Sequence, residues 1–243
     1  MKKIFPIVIV LLVIAGAAIW FFGFKNKKTS ESVATPTPAE KEITEIPLDE
    51  RPYVTLTPRT DGKEFTLDIS GIKNIDTVEY ELVYLSLGIS RGVIGSVSLN
   101  GEQNLSRKML LGSCSRNVCK YDEGVEQGTL TLRFRGSQGT SKFTTDFHLQ
   151  KGTGSLTSVD GKFELTGKFS TTSFYLTMDT IGLPGTIDKT ITDGPYGVFT
   201  SGSSTIKNGA VKLGPAIYFW KGSTWQVVGN SISQLGVFVA VSS

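Results

Sequence analysis

One serine lies in the Gly-x-Ser-x-Gly pattern that surrounds the nucleophile of many hydrolases. The segment Gly88-Ile89-Ser90-Arg91-Gly92 follows a predicted strand, and Asp122 or Asp146 and then the single histidine, His148, come later in the chain. Such a serine needs a helix directly after it, which aims the hydroxyl group and supplies an oxyanion-hole amide. Residues 92–97 instead have the pattern of a strand and a turn. We therefore expect no catalytic residues, and an anchored envelope hydrolase using Ser90 and His148 is the alternative.

The only two cysteines, Cys114 and Cys119, lie close together in a predicted hairpin loop. A zinc site needs two further ligands, and the chain has one histidine. The spacing also differs from the C-x-x-C motif of redox proteins. The sequence therefore predicts a Cys114–Cys119 disulfide, with two reduced thiols as the alternative, and it predicts no metal and no cofactor.

The amino-terminal segment is apolar over its whole length. Residues 4–24 contain no charged side chain, and as a helix of about 1.5 Å per residue they match the thickness of a bilayer. Together with the cysteine pair, they predict a short cytoplasmic terminus (1–3) and a transmembrane signal anchor (4–24) with the later residues outside the cytoplasm. A cleaved secretory signal is the alternative.

The segment 25–52 is polar and contains Thr35-Pro36-Thr37-Pro38, so we predict a disordered Thr/Pro linker. Five of the 25 basic residues flank the apolar run, which leaves 20 basic and 22 acidic side chains from Thr29 onward. A protein that binds phosphates needs a basic surface, so the sequence argues against nucleic acid as a partner.

Alternation of apolar and polar residues dominates from Tyr53 onward. Phe65, Leu67 and Ile69 alternate with polar neighbours, as in a strand with one buried face. About seven such runs within about 100 residues predict a β-sandwich. A glycine-rich stretch near residue 152 divides the chain, so we predict an all-β fold of tandem immunoglobulin- or fibronectin-like sandwiches, 53–152 and 153–243. One large sandwich is the alternative.

The carboxy-terminal segment carries the only resemblance to a known family. Tyr218-Phe219-Trp220-Lys221-Gly222-Ser223-Thr224-Trp225, followed by Leu235-Gly236-Val237-Phe238-Val239-Ala240, resembles the closing hairpin and last strand of β-sandwich units in microbial cell-surface proteins. The resemblance covers residues 214–242 and implies a structural or adhesive module without catalytic residues.

Tyr218, Trp220 and Trp225 could stack on sugar rings as a ligand platform, whereas apolar neighbours on the opposite face favour a role in packing. The sequence thus predicts a membrane-anchored extracytoplasmic protein with a structural, adhesive or scaffolding role in the cell envelope. Its expected partners are the bilayer, through residues 4–24, and an envelope glycan or another surface protein. A carbohydrate-binding module is a further alternative.

Overall fold

The structure is a computed structural model that describes residues 46–116, 118–152 and 154–242. The predicted cytoplasmic terminus 1–3, the predicted transmembrane helix 4–24 and the predicted linker up to residue 45 lie outside the described residues. Within the described ranges, no helix has both the length and the apolar character needed to cross a membrane.

The described residues form eighteen strands and one 3-10 turn, Leu48–Glu50. The strands are β1 (Tyr53–Pro58), β2 (Glu64–Ser70), β3 (Thr77–Ser86), β4 (Ile89–Ser98), β5 (Leu105–Leu110), β6 (Gly112–Ser115), β7 (Val118–Tyr121), β8 (Gln127–Gly136), β9 (Gly139–Lys151), β10 (Ser155–Thr157), β11 (Glu164–Lys168), β12 (Phe174–Asp179), β13 (Ile191–Thr200), β14 (Thr205–Lys212), β15 (Ala216–Trp220), β16 (Trp225–Val227), β17 (Ile232–Gln234) and β18 (Val237–Val241). The predicted all-β class is confirmed.

The strands form one large antiparallel sheet and three smaller sheets. The large sheet has nine strands in the order β16-β15-β18-β13-β12-β9-β8-β3-β4. A three-stranded sheet has the order β1-β2-β5, a four-stranded sheet has the order β10-β11-β14-β17, and β6 pairs with β7. The large sheet therefore contains strands from both sides of residue 152.

Two hydrophobic cores lie on opposite faces of the large sheet. Neighbouring side chains of a strand point to opposite faces. On β12, Leu176 and Met178 belong to the first core, which also contains the buried residues of β1, β2 and β5. Tyr175 on the same strand belongs to the second core, with residues of β10, β11, β14 and β17. The three-stranded and four-stranded sheets thus cover opposite faces, and β12 contributes to both cores.

The described residues belong to one compact unit, although the two cores correspond largely to the two predicted domains. Hydrogen-bonded pairing of β9 with β12 joins the two halves. The tandem immunoglobulin-like arrangement and its boundary at residue 152 stay predictions, which the cooperativity of unfolding would test.

Residues 46–52, which the sequence assigned to the linker, contact the folded body. The Arg51 guanidinium Nε donates to the Ile46 carbonyl at 2.8 Å, and a side chain at Gly182 would meet the carbonyl oxygens of Arg51 and Pro52 at 2.5 and 2.6 Å. This close backbone approach holds the segment against the loop after β12. The folded part of the chain therefore begins before Tyr53.

The β3–β4 hairpin shows how local sequence determines register. Its two turn residues, Leu87 and Gly88, both have positive φ angles, of 49° and 80°. Two consecutive positive φ angles are typical of the type I′ turn, whose twist matches that of antiparallel strands. The ten residue pairs of β3 and β4 follow this turn without a register shift.

Candidate functional site

Ser90 and His148, the proposed nucleophile and base, lie far apart on the large sheet. Ser90 is on β4 and His148 is on β9, and β3 and β8 lie between these strands. Three inter-strand spacings separate the residues by roughly 14 Å. A nucleophile and its base must approach within hydrogen-bond distance, so this geometry gives no support to the hydrolase alternative.

His148 takes part in a structural hydrogen bond. Its Nδ1 lies 2.8 Å from the carbonyl oxygen of Thr157 on β10, so the ring links the large sheet to the four-stranded sheet. A carbonyl oxygen can only accept a hydrogen bond, so Nδ1 carries the proton. His148 is half-buried at this contact between the two sheets.

The predicted disulfide is present in an exposed hairpin. Cys114 on β6 pairs directly with Cys119 on β7, and both residues are exposed. At the base of the hairpin, the ring of Tyr121 lies 5.6 Å from the guanidinium carbon of Arg59 and 4.8 Å from the Lys63 ammonium nitrogen. These cation–π contacts fix the base, while Ser115, Arg116 and Val118 nearer the tip are exposed.

We expect replacement of both cysteines by serine to lower the free energy of unfolding by about 2 kcal/mol. The bond closes a loop between residues five positions apart, and short loops lose little entropy when they are closed. Urea unfolding of the Cys114→Ser, Cys119→Ser variant measures the effect. The wild-type protein in reductant is the matched control and should unfold at the same urea concentration as the variant. A loss above about 4 kcal/mol would show that the bond also holds native contacts.

The predicted aromatic platform packs against the chain's own loop. The Trp220 and Trp225 rings meet edge to face, 5.4 Å apart, and the Trp225 indole nitrogen donates to the Gly185 carbonyl at 3.0 Å. A side chain at Gly185 would meet the Trp220 ring at 2.3 Å, so the loop lies directly on that ring. Tyr218 is half-buried on the same strand as Trp220. The benzene edge of the Trp220 ring therefore contacts the chain's own loop, and the sugar-binding role stays a prediction.

A polar groove that the sequence did not reveal lies beside the second core. Its volume is about 590 Å³, and several charged side chains line it: Asp49, Asp160, Asp179, Asp193, Lys162 and Lys189. The Asp160 carboxylate accepts hydrogen bonds from the Ser158 hydroxyl and the Tyr196 hydroxyl, both at 2.5 Å. The Lys162 ammonium lies 3.7 Å from Asp193. These residues come from separate segments of the chain, so no local sequence pattern brings them together.

Two carboxyl groups of this groove have pKa values shifted in opposite directions. Partial burial would raise the pKa of Asp160, but the hydrogen bonds from Ser158 and Tyr196 outweigh it and hold that pKa below its usual value. Asp179 retains exposed surface, yet desolvation of its carboxyl group and the charge of Asp160 raise its pKa to about 6. A catalytic acid and base in one site need pKa values that differ from each other in this way. Aspartates with a purely structural role also show shifted pKa values.

Comparison with protein-family models, curated proteins and solved structures found no match.

Metal chemistry receives no support from the described residues, because they contain no group of three or more His, Cys, Asp or Glu side chains placed to hold an ion. The charged groups of the groove have a direct consequence for stability.

We expect Asp179→Asn to raise the free energy of unfolding at pH 7 by about 1 kcal/mol, after discounting for solvent exposure. The folded-state pKa of Asp179, about 6, exceeds its ordinary value of 3.8, so the folded state binds the proton more tightly. The wild type therefore loses stability as the pH rises from about 4 to 6, and the asparagine variant avoids this loss.

Urea unfolding of both proteins at pH 4 and pH 7 measures the difference. Asp188→Asn, at an exposed position in the loop after β12, is the control and should leave the change between the two pH values as in the wild type. Equal pH dependence of the wild type and Asp179→Asn would contradict the assignment.

Proposed function

We propose that this chain is a single-pass, membrane-anchored protein whose all-β body lies outside the cytoplasm and has a structural, adhesive or scaffolding role in the cell envelope. The observation that carries the proposal is the exposed Cys114–Cys119 disulfide. Cytosolic glutathione and thioredoxin keep accessible thiols reduced, whereas disulfides persist in oxidising compartments. A disulfide in so exposed a hairpin fits an extracytoplasmic location.

The apolar segment 4–24 and the polar linker after it support the anchoring part of the proposal. An uncharged apolar run of 21 residues is long enough to span a bilayer as a helix. The Thr/Pro sequence would keep the β-structured body at a distance from the membrane surface.

A binding or scaffolding role, and no catalytic role, agrees with the arrangement of the reactive side chains. Ser90 and His148 lie on strands that are not neighbours, and His148 bonds to the backbone of Thr157. The Trp220 and Trp225 rings hold the loop at Gly185. His148, Trp220 and Trp225 thus make contacts within the fold. The disulfide hairpin and the β4 edge of the large sheet are exposed.

Cysteine labelling on intact cells tests the location. In the full-length chain, Ser231→Cys lies at an exposed position of the body and should react with a membrane-impermeant maleimide on intact cells. Lys3→Cys, in the predicted cytoplasmic terminus, should react only after lysis. The wild type is the control, because its two cysteines are bonded and should react only when reductant is added. Labelling of Lys3→Cys but not Ser231→Cys on intact cells would refute the proposed orientation.

A further inference from the structure

The last strand at one end of the large sheet has an unpaired edge. Strand β4 runs for ten residues, pairs with β3 along its whole length, and has no other partner strand in the described part of the chain. The edge lacks the features by which proteins usually prevent edge pairing. It has no proline, no lysine and no bulge, and its one charged residue is Arg91.

The type I′ turn determines which residues of β4 direct their backbone groups outward. In a two-residue hairpin the closing pair, Ser86 and Ile89, is hydrogen-bonded, and every second pair after it is hydrogen-bonded too. The Leu99 nitrogen donates to the Asp76 carbonyl at 2.9 Å, which continues this series at the other end of the hairpin. The alternate residues therefore present unpaired N–H and C=O groups to solvent: Ser90, Gly92, Ile94, Ser96 and Ser98.

The side chains on this outward row would permit close approach of another strand. Four of the five are serine or glycine, and the fifth, Ile94, is 76% exposed. Val83 and Leu85 of β3, 38% and 51% exposed, lie on the same outer face, because they pair with Gly92 and Ser90. The edge thus combines free hydrogen-bonding groups with an exposed apolar strip.

We propose that β4 pairs antiparallel with β4 of a second copy of this chain, with a two-fold axis at Ile94. In this register Ile94 meets its own copy, Gly92 meets the second copy's Ser96, and Ser90 meets the second copy's Ser98. About ten new backbone hydrogen bonds would form, and the two nine-stranded sheets would become one continuous sheet.

Charge and strand length favour a second copy with this symmetry. Arg91 would face the second copy's Val97, and the Arg91 guanidinium already lies 3.9 Å from Asp122. No like charges are brought opposite each other on the paired strands. The far edge of the sheet is β16, which has only three residues, so a head-to-tail contact between β4 and β16 would be short. Pairing of the two long edges closes the assembly as a dimer.

This inference extends the proposed scaffolding role, but the pairing depends only on the β3–β4 hairpin. The labelling experiment can therefore refute the proposed orientation while the chain still dimerises through β4. Equally, the chain can be a monomer while the labelling result supports the orientation. The first test is the mass of the full-length chain in detergent, measured by light scattering after size exclusion. A dimer is expected, and a monomer at micromolar concentration would overturn the proposal.

Ile94→Pro is the decisive variant. It removes an outward N–H group without breaking a β3–β4 hydrogen bond, so the hairpin should persist while dimerisation weakens by roughly 10-fold or more. Gly95 is unsuitable for this purpose, since a side chain there would meet the Tyr80 ring at 2.3 Å. Ile94→Lys should act in the same direction if the proline variant fails to fold.

Val227→Lys, at a 66% exposed position on β16, is the matched control and should leave the dimer intact. A dimer that survives both changes at Ile94 would overturn the proposal, because the contact would then lie elsewhere.

Oxidative crosslinking tests the register. Ile94→Cys should form a disulfide-linked dimer in membranes that contain the full-length chain. Ser90→Cys, on the same face of the same strand, should not, because the two copies of residue 90 would lie roughly 27 Å apart. Equal crosslinking at both positions would indicate random collision and would overturn the two-fold register.

Discussion

Phe65→Ala is expected to lower the free energy of unfolding by about 4 kcal/mol. Phe65 lies on β2 of the three-stranded sheet and is fully buried in the first core. Its ring meets the ring of Phe147, on β9 of the large sheet, edge to face at 5.2 Å. The pair therefore joins two layers, and truncation of Phe65 would leave a cavity between them and remove the aromatic contact.

Urea unfolding followed by tryptophan fluorescence measures the effect of Phe65→Ala. Phe65→Leu should cost about 1–2 kcal/mol, because it retains most of the apolar volume. Val227→Ala, at a position 66% exposed on β16, is the control and should change stability by less than about 0.5 kcal/mol. Similar losses for Phe65→Ala and Val227→Ala would contradict the position of the first core.

The sequence predicted most strands because their alternation reflects burial on a single face. On β2, Phe65, Leu67 and Ile69 are buried, and the polar residues between them face outward. The turn before β2 likewise has a glycine where the backbone needs a positive φ angle, since Gly62 has a φ of 70°. The local alternation of apolar and polar residues is sufficient to predict a strand when one face of that strand contacts the core and the other contacts water.

The strands that the sequence missed are short and have no clear alternation. β10 and β17 have three residues each, and β6 and β7 have four each in the disulfide hairpin. Short hairpins join β6 with β7 and β10 with β11, whereas β17 joins β14 across two intervening strands. Sequence spacing also gave no sign that one sheet would contain strands from both predicted domains. That arrangement depends on β9 pairing with β12, a long-range contact.

The polar groove illustrates the same limit for a site. Asp160, Asp179 and Tyr196 come from a turn and two strands, and only the register of β12 with β13 places Asp179 opposite Tyr196. Conversely, the Ser90 pattern lies in a type I′ turn and a strand, where a catalytic serine needs a helix. The cysteine pair was predictable because its two residues lie close together in the sequence.

Phe163→Ala is expected to lower the free energy of unfolding by about 4 kcal/mol through the second core. Phe163 is fully buried, and its ring lies 5.5 Å from the rings of both Tyr196 and Phe238. The backbone N–H of residue 163 donates to the Ser158 hydroxyl at 3.1 Å, and the substitution leaves this hydrogen bond in place. The loss of stability therefore comes from side-chain packing. Val159→Ala, at a 43% exposed position of the same turn, is the control and should have little effect.

The same measurement distinguishes one cooperative unit from two domains. Because β9, β12 and β13 are hydrogen-bonded neighbours and β12 contributes to both cores, we expect a single transition that Phe65→Ala and Phe163→Ala both shift to lower urea concentration. Tandem domains would instead unfold in two transitions, with Phe65→Ala acting on one and Phe163→Ala on the other. Two such separate transitions would contradict the single unit and would support a boundary near residue 152. The shared sheet favours the single transition, because separation at that boundary would expose the paired edges of β9 and β12 and the buried side chains on both faces of β12.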